Sequence, residues 1–261
     1  MAQTITLVVA NQKGGCGKST TAHAIAAGLT KRGYRVLSLD LDGQRNLTHT
    51  AQAAAGELGS MELLTGAARA EQTIQATPES GDIIAASPHL NGDAIESPDV
   101  LKRALTPVRA RYDFIVIDTP PALGMLTINA LTAADGVIIP AGADAYSIQG
   151  IADLNATIET VKARSNPNLH IAGILLTRYS WRAILSRDLA AVIAETAAAL
   201  NTKVFDTRIR EGVAIREAQA MRQSVFSYAP RSNPAKDYTA FLDEVLTQYN
   251  KPKKQGGRNN G

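Results

Sequence analysis

Residues 13–20 read Lys-Gly-Gly-Cys-Gly-Lys-Ser-Thr and follow directly on the apolar run Ile5–Ala10. An apolar run that ends in a glycine turn carrying lysine and hydroxyl residues, and then opens a helical pattern, reads as a phosphate-binding loop between a buried strand and a helix. Such a loop needs its strand inside a sheet, which restricts the chain to an α/β architecture. Gly14, Gly15 and Gly17 have no Cβ, so the turn is tight and its backbone N–H groups point inward as a nest for phosphate oxygens. The helix expected from Lys18 adds its positive N-terminal end. Lys18 reaches the β and γ phosphates, the Ser19 hydroxyl ligates Mg²⁺, and Thr20 gives a further contact to the α-phosphate. Cys16 belongs to the binding loop through its backbone alone.

The loop departs from the standard G-x-x-x-x-G-K-[ST] in an informative way. Position 12 is Gln12, where glycine is required, and a second lysine, Lys13, opens the loop. Lys13 lies too early to duplicate Lys18 on the same phosphates. It could instead reach a nucleotide bound by a second subunit and supply charge in trans. Two further apolar runs end in acids. Arg35–Leu39 leads into Asp40 and Asp42, and Tyr112–Asp118 closes on Asp118. A carboxylate just past a strand end and close to the γ-phosphate can position or polarise the attacking water. Asp42 is assigned that role, with Asp40 as its support. Asp118 is assigned to Mg²⁺, directly or through water.

Together these segments resemble the ParA/MinD family of deviant Walker ATPases. The family loop K-G-G-x-G-K-[ST] is matched by residues 13–19 at every fixed position. Asp40–Thr48 is similar to the first switch, D-x-D-P-Q-x-N-x-T, except that Gly43 stands where proline is usual. Asp118-Thr-Pro-Pro121 is similar to the second switch. Ile209–Ala218 and Tyr228–Tyr238 resemble the C-terminal motifs I-[PR]-x-x-V-x-[LI]-x-E-A and Y-x-P-x-S-x-x-A-x-D-Y, which point to the partitioning branch. The resemblance implies a P-loop NTPase-like α/β fold, a mostly parallel sheet with helices on both faces. It implies Mg²⁺-dependent ATP hydrolysis and a homodimer formed on ATP, with Lys13 crossing between the two nucleotides. It also implies ATP-dependent, non-specific binding to duplex DNA, release by a ParB-like stimulating partner, and a cytoplasmic, nucleoid-associated location. Glu211 and Gly212 stand where some members carry Arg-Asn, so base or DNA contacts there are not carried over.

Composition sets the remaining bounds. The 261 residues are 45% hydrophobic, which supports one large ATPase domain, placed at residues 1–250. Strands are expected near Thr4–Ala10, Arg35–Leu39, Asp82–Ala85, Phe114–Asp118, Gly136–Pro140, Ile171–Leu176 and Lys203–Phe205. Helices are expected at Lys18–Lys31, Pro98–Thr106, Leu123–Ala133, Ser147–Arg164, Ala183–Leu200 and Pro234–Tyr249. Ala51–Ser80 is Ala/Gly-rich, with one helical patch near Met61–Thr65. The net charge is +3. Lys251, Lys253, Lys254 and Arg258 fall in an acid-free stretch at 251–261, so the rest of the chain is close to neutral. That Gly/Asn-rich stretch reads as a disordered basic tail. Arg178–Arg231 is a second, arginine-rich concentration, and guanidinium forks suit phosphate. Arg208, Arg210 and Arg216 are the expected DNA contacts, with the tail as the rival site.

Other functions on this scaffold meet specific obstacles. A MinD-like, membrane-associated positioning ATPase is the alternative. It needs an amphipathic C-terminal helix, and residues 251–261 have no apolar residue except Pro252. No run approaches the length of a membrane span, and Met1–Ala10 enters the first strand with no leader pattern. A cluster-bridging reductase needs at least two cysteines per chain, and Cys16 stands alone. A related tyrosine kinase would want a tyrosine-rich tail. The first strand begins too early for an N-terminal operator-binding domain, so sequence-specific DNA recognition is not expected.

Overall fold

In the computed structural model, which describes residues 3–54, 56 and 58–251, the first apolar run becomes β1 (Ile5–Val9), buried along its whole length. It lies inside a seven-stranded sheet with β2 (Val36–Asp40), β3 (Ile74–Ala76), β4 (Asp82–Ile84), β5 (Phe114–Asp118), β6 (Gly136–Gly142) and β7 (His170–Thr177), in the order β3-β4-β2-β5-β1-β6-β7. Every neighbouring pair is parallel except β3–β4. Parallel strands need crossover connections, which the helices provide. These are α1 (Lys18–Lys31), α2 (Asn46–Thr50), α3 (Ser60–Thr65), α4 (Ala70–Thr73), α5 (Val100–Arg109), α6 (Met125–Ala133), α7 (Ala145–Arg164), α8 (Ile184–Ala199), α9 (Val213–Ala220), α10 (Val225–Tyr228) and α11 (Asn233–Gln248).

Alternation along the strands divides the core into two layers. Ile115 and Ile117 face a cluster with Leu101 of α5, Leu131 of α6, Leu154 of α7 and Ile193 of α8. Phe114 and Val116 face the other side, with Ile25 and Leu29 of α1 and Phe241 and Leu242 of α11. Helices therefore cover both faces, as the sequence predicts. The α1–α11 contact is close because residue 28 is glycine: a methyl group there would overlap Leu242 and press on Phe226.

Two expectations need correction. Lys203–Phe205 is not a strand; it makes one isolated bridge, Ile174 to Val204, at the outer edge of β7. The ladder stops because the next two backbone donors turn elsewhere: Asp206 and Thr207 N–H donate to the Glu244 carboxylate at 2.9 and 2.8 Å. The helix expected at Pro98–Thr106 is α5, which starts at Val100 and runs through Pro107 to Arg109. The proline falls in the final turn and removes a single helical donor. The chain from 203 to 211 still shields the edge of β7, bonding back at Ile209 N to Leu176 O and Tyr179 N to Ile209 O. No helix among the described residues is long and apolar enough to cross a membrane. Of the proposed tail, Lys251 is anchored, donating to Gln3 O, and residues 252–261 lie outside the described residues.

Candidate nucleotide site

The site is assembled by strand register. Val9, Asp118 and Asp40 are aligned partners across β1, β5 and β2, so the phosphate loop and two carboxylates emerge at the same level of the sheet's C-terminal edge. Open α/β sheets bind ligands at that edge. After β1 the chain turns through Gly15 (φ 72°) and Gly17 (φ 94°), both left-handed, before α1 begins at Lys18. A side chain at either position would be strained.

Three contacts anchor the loop to its neighbours. Asn11 Nδ2 donates to Pro140 O at 2.7 Å, while Asn11 Oδ1 accepts from Lys13 N at 3.0 Å. Thr177 at the end of β7 donates to Cys16 O at 2.8 Å. Thr119 donates to Val9 O at 3.0 Å. Cys16 is buried and its thiol donates to Lys13 O. Burial pushes the thiol above its ordinary pKa, so it stays protonated and acts as a packing residue.

The loop opens into a cavity of about 420 Å³ lined by Gly14, Gly15, Lys18, Ser19, Asp42 and Pro121, among others. Lys18 is 6% exposed and folds its ammonium back onto Lys13 O at 3.0 Å. Gln219 of α9 donates to Thr20 Oγ1 at 2.9 Å. A second cavity of about 260 Å³ continues from Gly15, Gly17 and Thr20 to Arg178, Ile215 and Arg216. The two cavities adjoin through Gly15, Gly17, Thr20 and Gln219, which line both.

The acids sit at different depths. Asp118 is fully buried, and neither carboxylate oxygen has a hydrogen-bond partner among the described residues. Burial, and then the charge of Asp40 alongside, push its pKa well above the ordinary range; Ser19 is the nearby hydroxyl that opposes this. An orphaned buried carboxylate beside a hydroxyl on a phosphate loop fits a hard divalent cation. Asp118 and Ser19 would hold Mg²⁺, which neutralises charge on the phosphate oxygens. Asp40 is also fully buried, and burial raises its pKa while Thr48 pulls it back. Its oxygens accept from Thr48 N (2.8 Å), Thr48 Oγ1 (2.7 Å) and Asp42 N (3.0 Å). Asp40 therefore holds the loop that carries Asp42. Asp42, 7% exposed, lines the phosphate cavity and accepts from Gln44 N at 3.0 Å. Gly43, where the family has proline, is not in a left-handed conformation, and a Cβ there would meet only Leu90 O at 3.9 Å.

Lys13 takes a separate direction. Its ammonium lies 2.5 Å from Asp144 Oδ2 and over the Tyr146 ring, at the entry to α7. Burial would raise the Asp144 carboxyl, but the Lys13 and Ser147 hydrogen bonds hold it below its ordinary value. Sequence reasoning missed Asn11, Asp144, Thr177 and Gln219. Only Asn11 carries a local signal, a short amide directly after a strand that can close an Asx turn. The others meet the loop only through the fold.

The three C-terminal arginines do not form one open surface. Arg210 is committed to Asp237, with Nε at 2.9 Å from Oδ2 and Nη2 at 2.6 Å from Oδ1. Arg208 packs 4.7 Å from both the Tyr179 and Trp181 rings and donates to Tyr179 Oη at 2.7 Å. Arg216 is exposed and lines the second cavity.

Similarity to known proteins agrees with this geometry. A family model described as an AAA domain matches residues 3–171. The chromosome-partitioning ATPase Soj of Thermus thermophilus is 37% identical over 246 residues, spanning 93% of this chain and 95% of that protein. The sporulation initiation inhibitor protein Soj of Bacillus subtilis is 39% identical over 248 residues, spanning 92% and 97%. Among solved structures, cobyrinic acid a,c-diamide synthase of Mycobacterium smegmatis with bound ADP and magnesium superposes with a TM-score of 0.83 at 31% identity, covering 98% of this chain and all of that one.

Proposed function

The chain belongs to the ParA/Soj family of partitioning ATPases, and from that premise we propose that it is an ATP-switched dimer whose hydrolysis site is shared between two subunits. It is an ATPase of the AAA type acting on ATP with Mg²⁺. The observation that carries the shared site is the divergence of the two loop lysines. Lys18 lines the phosphate cavity of its own chain, whereas Lys13 is turned away onto Asp144 with a side chain 30% exposed. A lysine that cannot serve its own phosphates while Lys18 fills that place is free to serve a neighbour's.

The proposed division of labour follows from the geometry. The loop N–H groups and Lys18 bind the phosphates, and Ser19 and Asp118 hold the cation. The base enters the cavity bounded by Arg178, Ile215 and Arg216. Asp42 orients the attacking water and accepts its proton, and Asp40 fixes Asp42 through Thr48. Lys13 leaves Asp144 and contacts the nucleotide of the partner subunit, placing a positive charge where negative charge develops. Dimer formation is then coupled to ATP, because the two nucleotides are part of the interface.

We further propose that the ATP-bound dimer binds duplex DNA without sequence preference and that a ParB-like partner, by stimulating hydrolysis, releases it. The Soj relatives support this reading. Of the arginines expected from sequence, Arg216 and Arg208 remain candidates for contact, and Arg210 serves the fold through Asp237. The test is light scattering after size exclusion with ATP or ADP, on wild type and Asp42→Ala. The variant should bind ATP and persist as a dimer. A monomer under saturating ATP in both proteins would sink the shared-site proposal.

A further inference from the structure

A third concavity lies beside α2 and the end of α9, and shares Gln44 and Asn46 with the phosphate cavity. It has a volume of about 730 Å³ and is bounded by Gln44, Arg45, Asn46, His49 and Gln52 on one wall and Arg222 on the other. Its chemistry is unlike that of the nucleotide site. Every side chain just named is a hydrogen-bond donor, and the only apolar residues lining it are Ala53 and Ala54. No acidic residue lines it among those described.

Its two arginines are in no ion pair among the described residues. Among the other arginines of the C-terminal segment, Arg210 pairs with Asp237, Arg208 packs on two rings and Arg178 faces Glu211, while Arg182, Arg187, Arg216 and Arg231 make no ion pair among the described residues and line no cavity opposite a second arginine of the switch. Neither Arg45 nor Arg222 has an acidic partner among the described residues. Arg45 Nε is buried with no hydrogen-bond partner. Arg222 Nε donates to His49 Nε2 at 3.2 Å; a guanidinium can only donate, so that imidazole nitrogen accepts. Arg45 (φ 60°), Gln52 (φ 60°) and Arg222 (φ 52°) are all left-handed without being glycine. Gln52 and Arg222 are the left-handed residues that close the C-termini of α2 and α9, where Ala53 N donates to Thr48 O and Gln223 N to Ala218 O, so the two helix ends fix where these side chains stand.

Both walls are tied to the nucleotide site. On the switch side, Arg45 N donates to Asp42 O at 2.8 Å, and Thr48 of α2 holds the Asp40 carboxylate. On the other side, Arg222 N donates to Gln219 O at 3.0 Å, and Gln219 donates to Thr20. Gln52 Nε2 closes the gap by donating to Arg222 O at 2.7 Å. A ligand that bridged Arg45 and Arg222 would feel any movement of Asp42 or Thr20.

We infer that this cleft seats the phosphodiester backbone of duplex DNA, with Arg45 and Arg222 as the phosphate contacts and with its width set by the nucleotide. The inference rests on the DNA-binding reading above and moves its principal contacts away from Arg208 and Arg216. A phosphate backbone fits better than a protein segment. Backbone oxygens are contacted by arginine, glutamine, asparagine and threonine donors, whereas protein hot spots need aromatic or aliphatic pockets that this cleft lacks. A free nucleotide would find no apolar wall for its base.

The test uses the full-length protein and a short fluorescent duplex of arbitrary sequence. Anisotropy is measured with ATP, with ADP and without nucleotide, across a salt series. Arg45→Asn/Arg222→Asn removes both charges while keeping a residue that tolerates the left-handed backbone. Relative to wild type, its affinity with ATP should fall at least about tenfold, and the slope of log affinity against log salt should shrink by about two per subunit. Its affinity for a fluorescent ATP analogue should be unchanged. Arg45→Lys/Arg222→Lys should keep most of the salt slope, and the exposed single variant Arg222→Asn should lose about one unit of it. If wild type binds DNA and both Asn variants bind it equally well with the same slope, the cleft is not the seat, and DNA binding belongs to other residues. If wild type binds no duplex in any nucleotide state, the DNA reading fails and the inference falls with it. If the Asn variants instead lose only response to a stimulating protein, the cleft is a protein site and the inference is overturned.

Discussion

Replacing Asp118 with asparagine should make the nucleotide-free protein more stable while abolishing its Mg²⁺-dependent activity. Asp118 is fully buried, only the Ser19 hydroxyl among the described residues approaches its carboxylate and without a well-formed hydrogen bond, and its aligned neighbour on β2 is another buried acid, Asp40. Leaving a buried polar group unsatisfied costs about 1–3 kcal/mol, more when it is charged. Raised pKa values relieve part of this by protonation, so a gain of about 1–3 kcal/mol is the reasonable span. In a chain of this size that is an increase of roughly 2–10 °C in melting temperature. The amide introduced by Asp118→Asn could also donate to Asp40. The pH dependence supplies an independent check. Burial raises the folded-state pKa of Asp118, so the native state keeps a proton that the unfolded chain releases above the ordinary carboxylate range. Stability from this source is therefore present at low pH and lost as pH rises toward the raised value. Calorimetric melting from pH 5 to 8 should show wild type losing stability relative to Asp118→Asn as pH rises. Isothermal titration should show that Mg²⁺ no longer tightens nucleotide binding in the variant. An unchanged or lower melting temperature at neutral pH, with Mg²⁺ linkage intact, would refute the view of Asp118 as a destabilising carboxylate kept for the cation.

Other perturbations test separate links. His23 on α1 is buried and its pKa is lowered to about 4, mainly by desolvation. It is neutral in the native state but protonates in the unfolded chain below about 6.5, so stability should fall between pH 6.5 and 4 by up to about 3 kcal/mol. His23→Met should flatten that part of the melting profile, and an identical slope in the variant would assign it to the carboxylates. Asp144→Asn keeps the α7 cap, because asparagine caps as well as aspartate, but releases Lys13. ATP-dependent dimerisation should tighten roughly two- to fivefold, the scale of a partly exposed ion pair. Weaker dimerisation by sedimentation would show that Asp144 contributes to the interface. Gly43→Ala should raise stability by roughly 0.4–1 kcal/mol through the unfolded state, and a loss in denaturant midpoint would reveal strain at that turn.

The sequence made the centre of the fold legible because its strands are fully buried and their ends carry chemistry. β5 has the bounds expected from its apolar run, and α1 those expected from its periodicity. The edges were less readable. β3 is three residues inside an Ala/Gly-rich stretch without a clear period, and α9 and α10 are too short for periodicity to separate from loop. Lys203–Phe205 has the composition of a strand, but Glu244 takes the donors that would extend it. At the site, the loop glycines, Lys18, Ser19, Asp42 and Asp118 were named from motif and chemistry, and the fold brings them to one cavity or its floor. Arg210 shows the opposite case. An arginine-rich segment looks alike whether each guanidinium faces solvent or an internal acid, and Asp237, 27 residues further on, decides it. Asp144 and Thr177 were invisible for the same reason, since each meets the loop across more than a hundred residues of chain.

The claim of a site shared between subunits is tested most directly by mixing two inactive proteins. Lys13→Ala retains Asp42 but offers no lysine to its neighbour, and Asp42→Ala offers Lys13 but cannot orient water. If Lys13 acts across the interface, a mixed dimer contains one competent site: the Lys13→Ala subunit's nucleotide, with its own Asp42 and its partner's Lys13. Steady-state ATP hydrolysis by an equimolar mixture should then recover to roughly a quarter of the wild-type rate, from random pairing in a two-fold dimer with one working site per mixed pair. Each protein alone should remain near background. A mixture no more active than its two components would place Lys13 in cis and contradict the account.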